Sequence, residues 1–269
     1  MDNLDFSNRG QSLLGQKMFS ILDQAKDYEK SGRVIKHLEL GEPDQYAPGR
    51  IINKTITSLL EHKVGYAPSG GLNSLREGLA SYYSKNFKKN FSAKNVAISP
   101  ANLLIYQLLE LICNSSDQVC IFTPGFPTYF AAAKYIGLSI SEVPLEPSDN
   151  FHLKFEHVDE AIAKNPKVII VNSGNNPTGA VYDKKVLEHL VDKASENNIW
   201  IISDETYGML SFNKTYFSLL ELNYNKIVVI SSFSKVFSVA GYRVGYVIAD
   251  SKVIQKIILS SSTLYSCLP

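Results

Sequence analysis

The sequence predicts an α/β fold: a mostly parallel seven-stranded sheet with helices on both faces. Three observations carry this. From residue 95 onward, short β-branched runs recur at 95–99, 119–123, 139–145, 167–172, 200–204, 226–232 and 243–249. They are apolar on nearly every residue rather than every second one, as in strands covered on both faces. Helical patterns lie between most of them, and strand–helix alternation of this kind builds a parallel sheet. Polar residues then follow directly on five of the runs, at Ser99, 123–126, 172–179, 204–207 and 232–235. In an open α/β sheet, ligands bind beyond the carboxyl ends of the strands.

The first ninety residues have a different texture. Segments 16–31 and 51–63 read as amphipathic helices joined by the loop-like LELGEPDQYAPG, and a helix over 74–88 follows the turn APSGG. Within the α/β part, 103–113 has apolar residues at helical spacing. Segment 184–197 sets Val186, Leu187, Leu190 and Val191 on one face with charges opposite. A last helix covers 252–260, and the chain ends at SSTLYSCLP without an obvious closing element. There is no internal repeat, low-complexity segment or long linker.

With 269 residues, the chain holds one large domain, or one domain and part of a second. Its formal net charge of +1 gives no global field for nucleic acid or an anionic membrane, so any anion site is local. Cys113, Cys120 and Cys267 are too scattered for a disulfide framework or metal cluster. Cys113 and Cys120 lie in apolar runs and read as core residues, which fits a reducing compartment. The start MDNLDFSNRG lacks the pattern of a signal peptide, and no apolar run approaches the ~20 residues of a membrane span. The expected location is the cytoplasm. The five histidines do not cluster at metal spacing, so no metal is expected. G-x-S-x-G, P-loop and G-x-G-x-x-G signatures are absent.

Several strand-end residues admit both a structural and a chemical use. Lys235, in SSFSKVFSVAGYRVGY, is either a solvated strand-end lysine or an amine made nucleophilic by desolvation among aromatic and small residues. Ser232 and Arg243 flank it. Arg243 either forms a surface salt bridge or grips a phosphate through two parallel hydrogen bonds. Asp204 ends the apolar run WIISD, where an acid needs a partner. It either caps the next turn or keeps a heteroaromatic nitrogen protonated. Tyr207 is placed to face the same ligand, whereas alternation turns Glu205 the other way. NSGNNPTG is a turn by composition: it is either a plain loop or one from which Asn176 donates a hydrogen bond to a ligand oxygen. Phe126 either stacks on a flat ligand or fills the core. The segment 99–102 is either a phosphate-binding helix start or a plain N-cap at Ser99 with proline early in the helix.

Taken in order, GEPD, YAPSGGLNSLRE, TPGFPTY, NNPTG, SDETYG and SFSKVFSVAGYRVGY resemble the class I/II aminotransferases, the aspartate-aminotransferase-like group of fold type I pyridoxal-phosphate (PLP) enzymes. The resemblance runs from about residue 38 to about 249. It implies that Lys235 carries PLP as a Schiff base and shuttles the substrate proton. It implies that Asp204 pairs with the pyridine nitrogen, that Tyr207 and Asn176 bond the phenolic oxygen, and that Phe126 stacks on the ring. Ser232, Arg243 and the helix start at Ala101 and Asn102 then bind the phosphate, with Gly41 and Asn176 near the substrate. Tyr66 reaches the phosphate of a neighbouring subunit, which implies a homodimer with shared active sites. The implied substrates are an amino acid and a 2-oxo acid.

Two departures from the family stand out. Pro100 occupies a position where members usually offer a free amide. Members also continue past residue 269, completing the large domain and most of a small domain with the arginine that pairs with the substrate's α-carboxylate. The expected division is therefore 1–45 as N-terminal arm and remnant of the small domain, and 46–269 as the large PLP-binding domain. Alongside the aminotransferase stand two other readings: a PLP lyase acting at Cβ–S or Cγ, and a non-catalytic binding or dimerisation module.

Overall fold

The computed structural model describes residues 5–11, 13, 15–212 and 215–268. The first four residues of the expected arm and the closing Pro269 lie outside the described residues. The chain begins with helices α1 (Asn8–Gln11), α2 (Lys17–Lys30), α3 (Gly49–Leu60) and α4 (Asn73–Phe87). Then follow β1 (Val96–Ser99), α5 (Ala101–Ile112), β2 (Gln118–Thr123), α6 (Pro127–Ile136), β3 (Ser139–Pro144), α7 (Phe155–Ala163) and β4 (Val168–Val171). The last elements are α8 (Lys184–Glu196), β5 (Trp200–Asp204), β6 (Ile227–Ser232), α9 (Phe233–Val236), β7 (Gly245–Ile248) and α10 (Ser251–Leu264).

The seven strands form one sheet in the order β1-β7-β6-β5-β4-β2-β3. The expected mostly parallel sheet is present, with one reversal: β7 runs antiparallel to both β1 and β6. Alternate strand residues feed two cores. Val119, Ile121, Ile170, Ile202, Val228 and Val247 pack with Leu104 and Leu108 of α5, Ala132 of α6 and Ile257 of α10. Cys120, Ile169, Val171, Ile201, Val229 and Ile248 face Leu79 of α4, Val158 of α7 and Leu187 and Leu190 of α8. Each strand except β3 is thus buried on both sides, which is why its sequence is continuously apolar.

Several elements differ from the sequence expectation. β3 is an edge strand, and only its Val143 is buried, so the run at 139–145 is not covered on both faces. Helices α6 and α7 had no counterpart in the sequence reading. Pro127 at the first turn of α6 supplies the preset φ of a helix start, and His157, Val158 and Ala161 form the buried face of α7. Ser99 does not cap α5. Its hydroxyl donates to buried Gln107 Oε1 at 3.2 Å, and Pro100 occupies the cap position without a side-chain bond. Arg243 stands ahead of β7, at φ 55°, rather than within it.

Helix α3 has the amphipathic pattern expected of it, yet none of its residues is buried. Ile52, Ile56, Leu59 and Leu60 are exposed. Cys113 and Cys120 are buried free thiols. Among the described residues, no helix is long and apolar enough to cross a membrane, and no cluster of three or more metal-binding side chains occurs.

Candidate active site

Beyond the carboxyl ends of β4, β5 and β6 lies a cleft of about 440 Å³. Asp204, the last residue of β5, forms its buried floor. Burial pushes the Asp204 carboxyl above its ordinary range, against the pull of hydrogen bonds from Thr206 and Tyr129. The Thr206 amide donates to Oδ1 at 3.1 Å, so the capping use anticipated for Asp204 is real. The Tyr129 hydroxyl donates to Oδ2 at 2.8 Å, which makes Asp204 more than a cap.

Lys235 enters from α9, directly after β6. Its amine donates to the Gly41 carbonyl. Burial lowers the proton affinity of the Lys235 amine. Glu42 opposes that effect and the nearby Arg243 charge adds to it. An amine in such surroundings is neutral more often than a surface lysine, and so more nucleophilic.

The remaining walls come from other strand ends. Asn172, just past β4, donates from Nδ2 to the Asp204 carbonyl at 2.8 Å and accepts the Asn176 amide at 2.8 Å. One asparagine thereby sets both the floor and the Asn176 loop. Tyr207 stands across the cleft, with its hydroxyl 4.0 Å from where a Cβ on Gly41 would lie. Burial raises the pKa of Tyr207, and Asp204 raises it further. Phe126 lines the cleft edge-on to Tyr129, with ring centroids 5.7 Å apart.

One end of the cleft is built for an anion. Ala101 and Asn102 line it at the start of α5, where first-turn N–H groups have no helical acceptor. Arg243 adds a guanidinium, of which Nη1 donates to the Ala240 carbonyl at 2.9 Å. Ser232 lines the same corner, its hydroxyl accepting the Ser234 amide at 3.1 Å. Gly245 lets these parts meet: a Cβ there would lie 2.9 Å from the Ala101 nitrogen and 2.9 Å from the Ser231 carbonyl.

The family model "Aminotransferase class I and II" matches residues 38–269. The chain belongs to the class I and II aminotransferases. This family consists of PLP enzymes. The chain is similar to an aspartate aminotransferase of Thermotoga maritima, at 32% identity over 91% of this chain and 66% of that protein. It is equally similar to a (5-formylfuran-3-yl)methyl phosphate transaminase of Methanocaldococcus jannaschii, at 32% identity over 96% of this chain and 68% of that protein. Among solved structures, the Thermus thermophilus aspartate aminotransferase with maleate superposes with a TM-score of 0.94 at 27% identity. That match covers 99% of this chain and 70% of the other. The chain thus spans about two thirds of the length of the curated relatives it matches.

The cleft brings together Gly41, Ala101, Asn102, Phe126, Asn176, Asp204, Tyr207, Ser232, Lys235 and Arg243, all named from the sequence as candidate site residues. Tyr66 is apart from it, 93% exposed. Sequence reasoning missed Tyr129, Asn172 and the wall formed by Gln16, Met18 and Phe19. Tyr129 carried a signal in TPGFPTY, two residues after the helix-starting proline. Asn172 is the first polar residue after the apolar VIIV. The 16–19 segment carried none, because its contact with the cleft is long-range.

Proposed function

We propose that this chain is a PLP-dependent aminotransferase that moves an amino group between an amino acid and a 2-oxo acid. One observation carries the reading: the Lys235 amine and the Asp204 carboxylate, from the ends of adjacent strands, open into one cleft of about 440 Å³. A flat heteroaromatic aldehyde fits this donor set, with an amine for its aldehyde, a buried carboxylate for its ring nitrogen and an anion corner for its phosphate.

PLP bound there supplies the electron sink that loosens a proton on the substrate's α-carbon. The protein's own groups do the rest. Lys235 would hold the cofactor through its amine, and the same amine would serve as the base that moves the proton at the α-carbon. Asp204 keeps a proton on the ring nitrogen, supported by Tyr129. Tyr207 and Asn176 would hydrogen-bond the phenolic oxygen, and Phe126 would supply an aromatic wall for the ring. Ser232, Arg243, Ala101 and Asn102 hold the phosphate, and Gly41 lies near the substrate's carboxylate. Pro100 removes one amide from that corner but leaves those of Ala101 and Asn102.

The reading includes a homodimer in which Tyr66 reaches the neighbouring subunit's phosphate. The exposure of Tyr66 and the uncovered apolar face of α3 support it. Residues 46–269 form the large PLP-binding domain, and 1–45 an arm and remnant of a small one. A cytoplasmic location goes with it, supported by three free thiols.

The test is borohydride reduction in the presence of PLP, followed by peptide mass mapping. A phosphopyridoxyl group is expected on Lys235 and is lost in Lys235→Ala. A label elsewhere sinks the assignment. Added amino acid then leaves the pyridoxamine form of the cofactor, whereas released ammonia would identify a lyase.

A further inference from the structure

We infer that Gln107 is a positioning residue for the anion corner: it locks helix α5 in place, so that the first-turn amides of Ala101 and Asn102 stay aimed at a phosphate. This rests on the aminotransferase reading and adds to it a residue outside the cleft lining. Gln107 is fully buried in α5, among Leu104, Ile105, Leu108 and Leu109. An apolar side chain would pack there without polar cost, whereas a buried amide destabilises unless its bonds are made.

Those bonds are made. Gln107 Oε1 accepts the Ser99 hydroxyl at 3.2 Å, and Nε2 donates to Ser260 Oγ and Ser261 Oγ, each at 3.1 Å. The Tyr265 hydroxyl lies 2.9 Å from Ser99 Oγ and 2.8 Å from Ser261 Oγ. It has one proton for two neighbours, so it donates to one and accepts from the other. Donation to Ser99 and acceptance from Ser261 closes a ring through Gln107, Ser261, Tyr265 and Ser99. Each hydroxyl in that ring donates once and accepts once, an arrangement in which the bonds polarise and strengthen one another.

The ring joins three elements at one point: the end of β1, helix α5 and the end of α10. A side chain bonded to both neighbours fixes the rotation of its own helix. Gln107 stands less than two turns after Ala101, so that rotation reaches the first-turn amides undiminished. A turn of about 20° moves atoms on the helix cylinder by roughly 0.8 Å, enough to lose a hydrogen bond. The corner depends on this placement. Pro100 has no N–H to offer, so the Ala101 and Asn102 amides carry the backbone share of an anion's bonds. The Ser99 hydroxyl turns to Gln107 rather than to the helix start, which leaves those amides for a ligand. Ser99 is also the register partner of Gly245, the residue packed closest to the Ala101 nitrogen.

The experiment uses the full chain, with PLP and pyridoxal as probes that differ by the phosphate. Dissociation constants for both are read from aldimine absorbance, and the phosphorus NMR signal of bound PLP is recorded. Gln107→Met keeps the side-chain length and removes its polar end. Its affinity for PLP is expected to fall at least about fivefold, with pyridoxal affinity within about twofold of wild type and the phosphorus signal displaced. Tyr265→Phe opens the same ring from its partly exposed member and is expected to shift the ratio the same way by less. Melting curves check that both variants fold, and if Gln107→Met does not, the ratio in Tyr265→Phe decides. A wild-type ratio and phosphorus signal in the variants overturn the inference and leave the aminotransferase reading standing. So do equal losses for the two probes, which a merely structural Gln107 would give. A wild-type protein that forms an aldimine with neither probe overturns both.

Discussion

Tyr129 donates its buried hydroxyl to Asp204 Oδ2 across 2.8 Å, joining helix α6 to the end of strand β5. The bond stabilises the ionised carboxylate against the cost of burial. Tyr129→Phe keeps the ring and removes the donor. It is expected to raise the Asp204 pKa further, weaken PLP binding and cost about 1–3 kcal/mol of stability, the penalty for an under-satisfied buried group. A PLP titration beside a urea melt checks it. Unchanged PLP affinity in a destabilised protein would reduce the bond to a structural one.

Lys235 is expected to be the lysine that reacts first with a dilute amine-acylating reagent in the PLP-free protein. Burial lowers its proton affinity, Glu42 raises it and Arg243 lowers it. Glu42→Gln is therefore expected to move the midpoint of the reactivity profile to lower pH, and Arg243→Gln to higher pH. Mass mapping of the labelled peptide across a pH series gives the midpoint. Opposite or absent movements would disprove the electrostatic account.

Glu205 faces away from the cleft, as strand alternation requires. It is buried and accepts hydrogen bonds from Ser203, Ser218 and the Leu219 amide at 3.0, 2.7 and 3.0 Å. Burial pushes its carboxyl from an ordinary 4.5 to about 7. Below about pH 4.5 the carboxyl is protonated in both states. Between there and about pH 7 the unfolded chain loses the proton first, so stability falls as pH rises. The gap corresponds to a loss on the order of 3 kcal/mol. Asp204 acts in the same direction, so the comparison with Glu205→Gln isolates Glu205. That variant is expected to lose this part of the slope and to gain most on the wild type above neutrality. Parallel slopes in denaturant melts would refute it.

Gly245→Ala is expected to disturb the anion corner before the rest of the fold. The added methyl would meet backbone of β6, β1 and α5 at 2.9–3.0 Å, and backbone does not swing aside. Overpacking of this kind costs about 1–3 kcal/mol. PLP affinity is expected to fall more than affinity for pyridoxal, which lacks the phosphate. Equal losses for the two ligands would locate the damage elsewhere.

The strands were legible because burial on both faces writes itself into every residue of a run such as VIIV or IVVI. The helices α8 and α5 were legible through their periodicity. Helix α6 was not, since PTYFAAAKYI is small and apolar on several sides and shows no clear stripe. The reversal of β7 left no trace, because a fully buried strand reads alike in either direction. At the site, residues just past strand ends were readable by position. Met18 and Phe19, more than 210 residues before Lys235, reach it only through tertiary folding.

The turned-back strand β7 has a mechanical meaning. Since the chain reverses between β6 and β7, Lys235 and Arg243 hang from one short span pinned at both ends, at Ser232 and Gly245, which are register partners. Asp204 belongs to a separate strand. Only a shift of β5 against its register partner β6 would change the distance from acid to amine, whereas amine and guanidinium share one span.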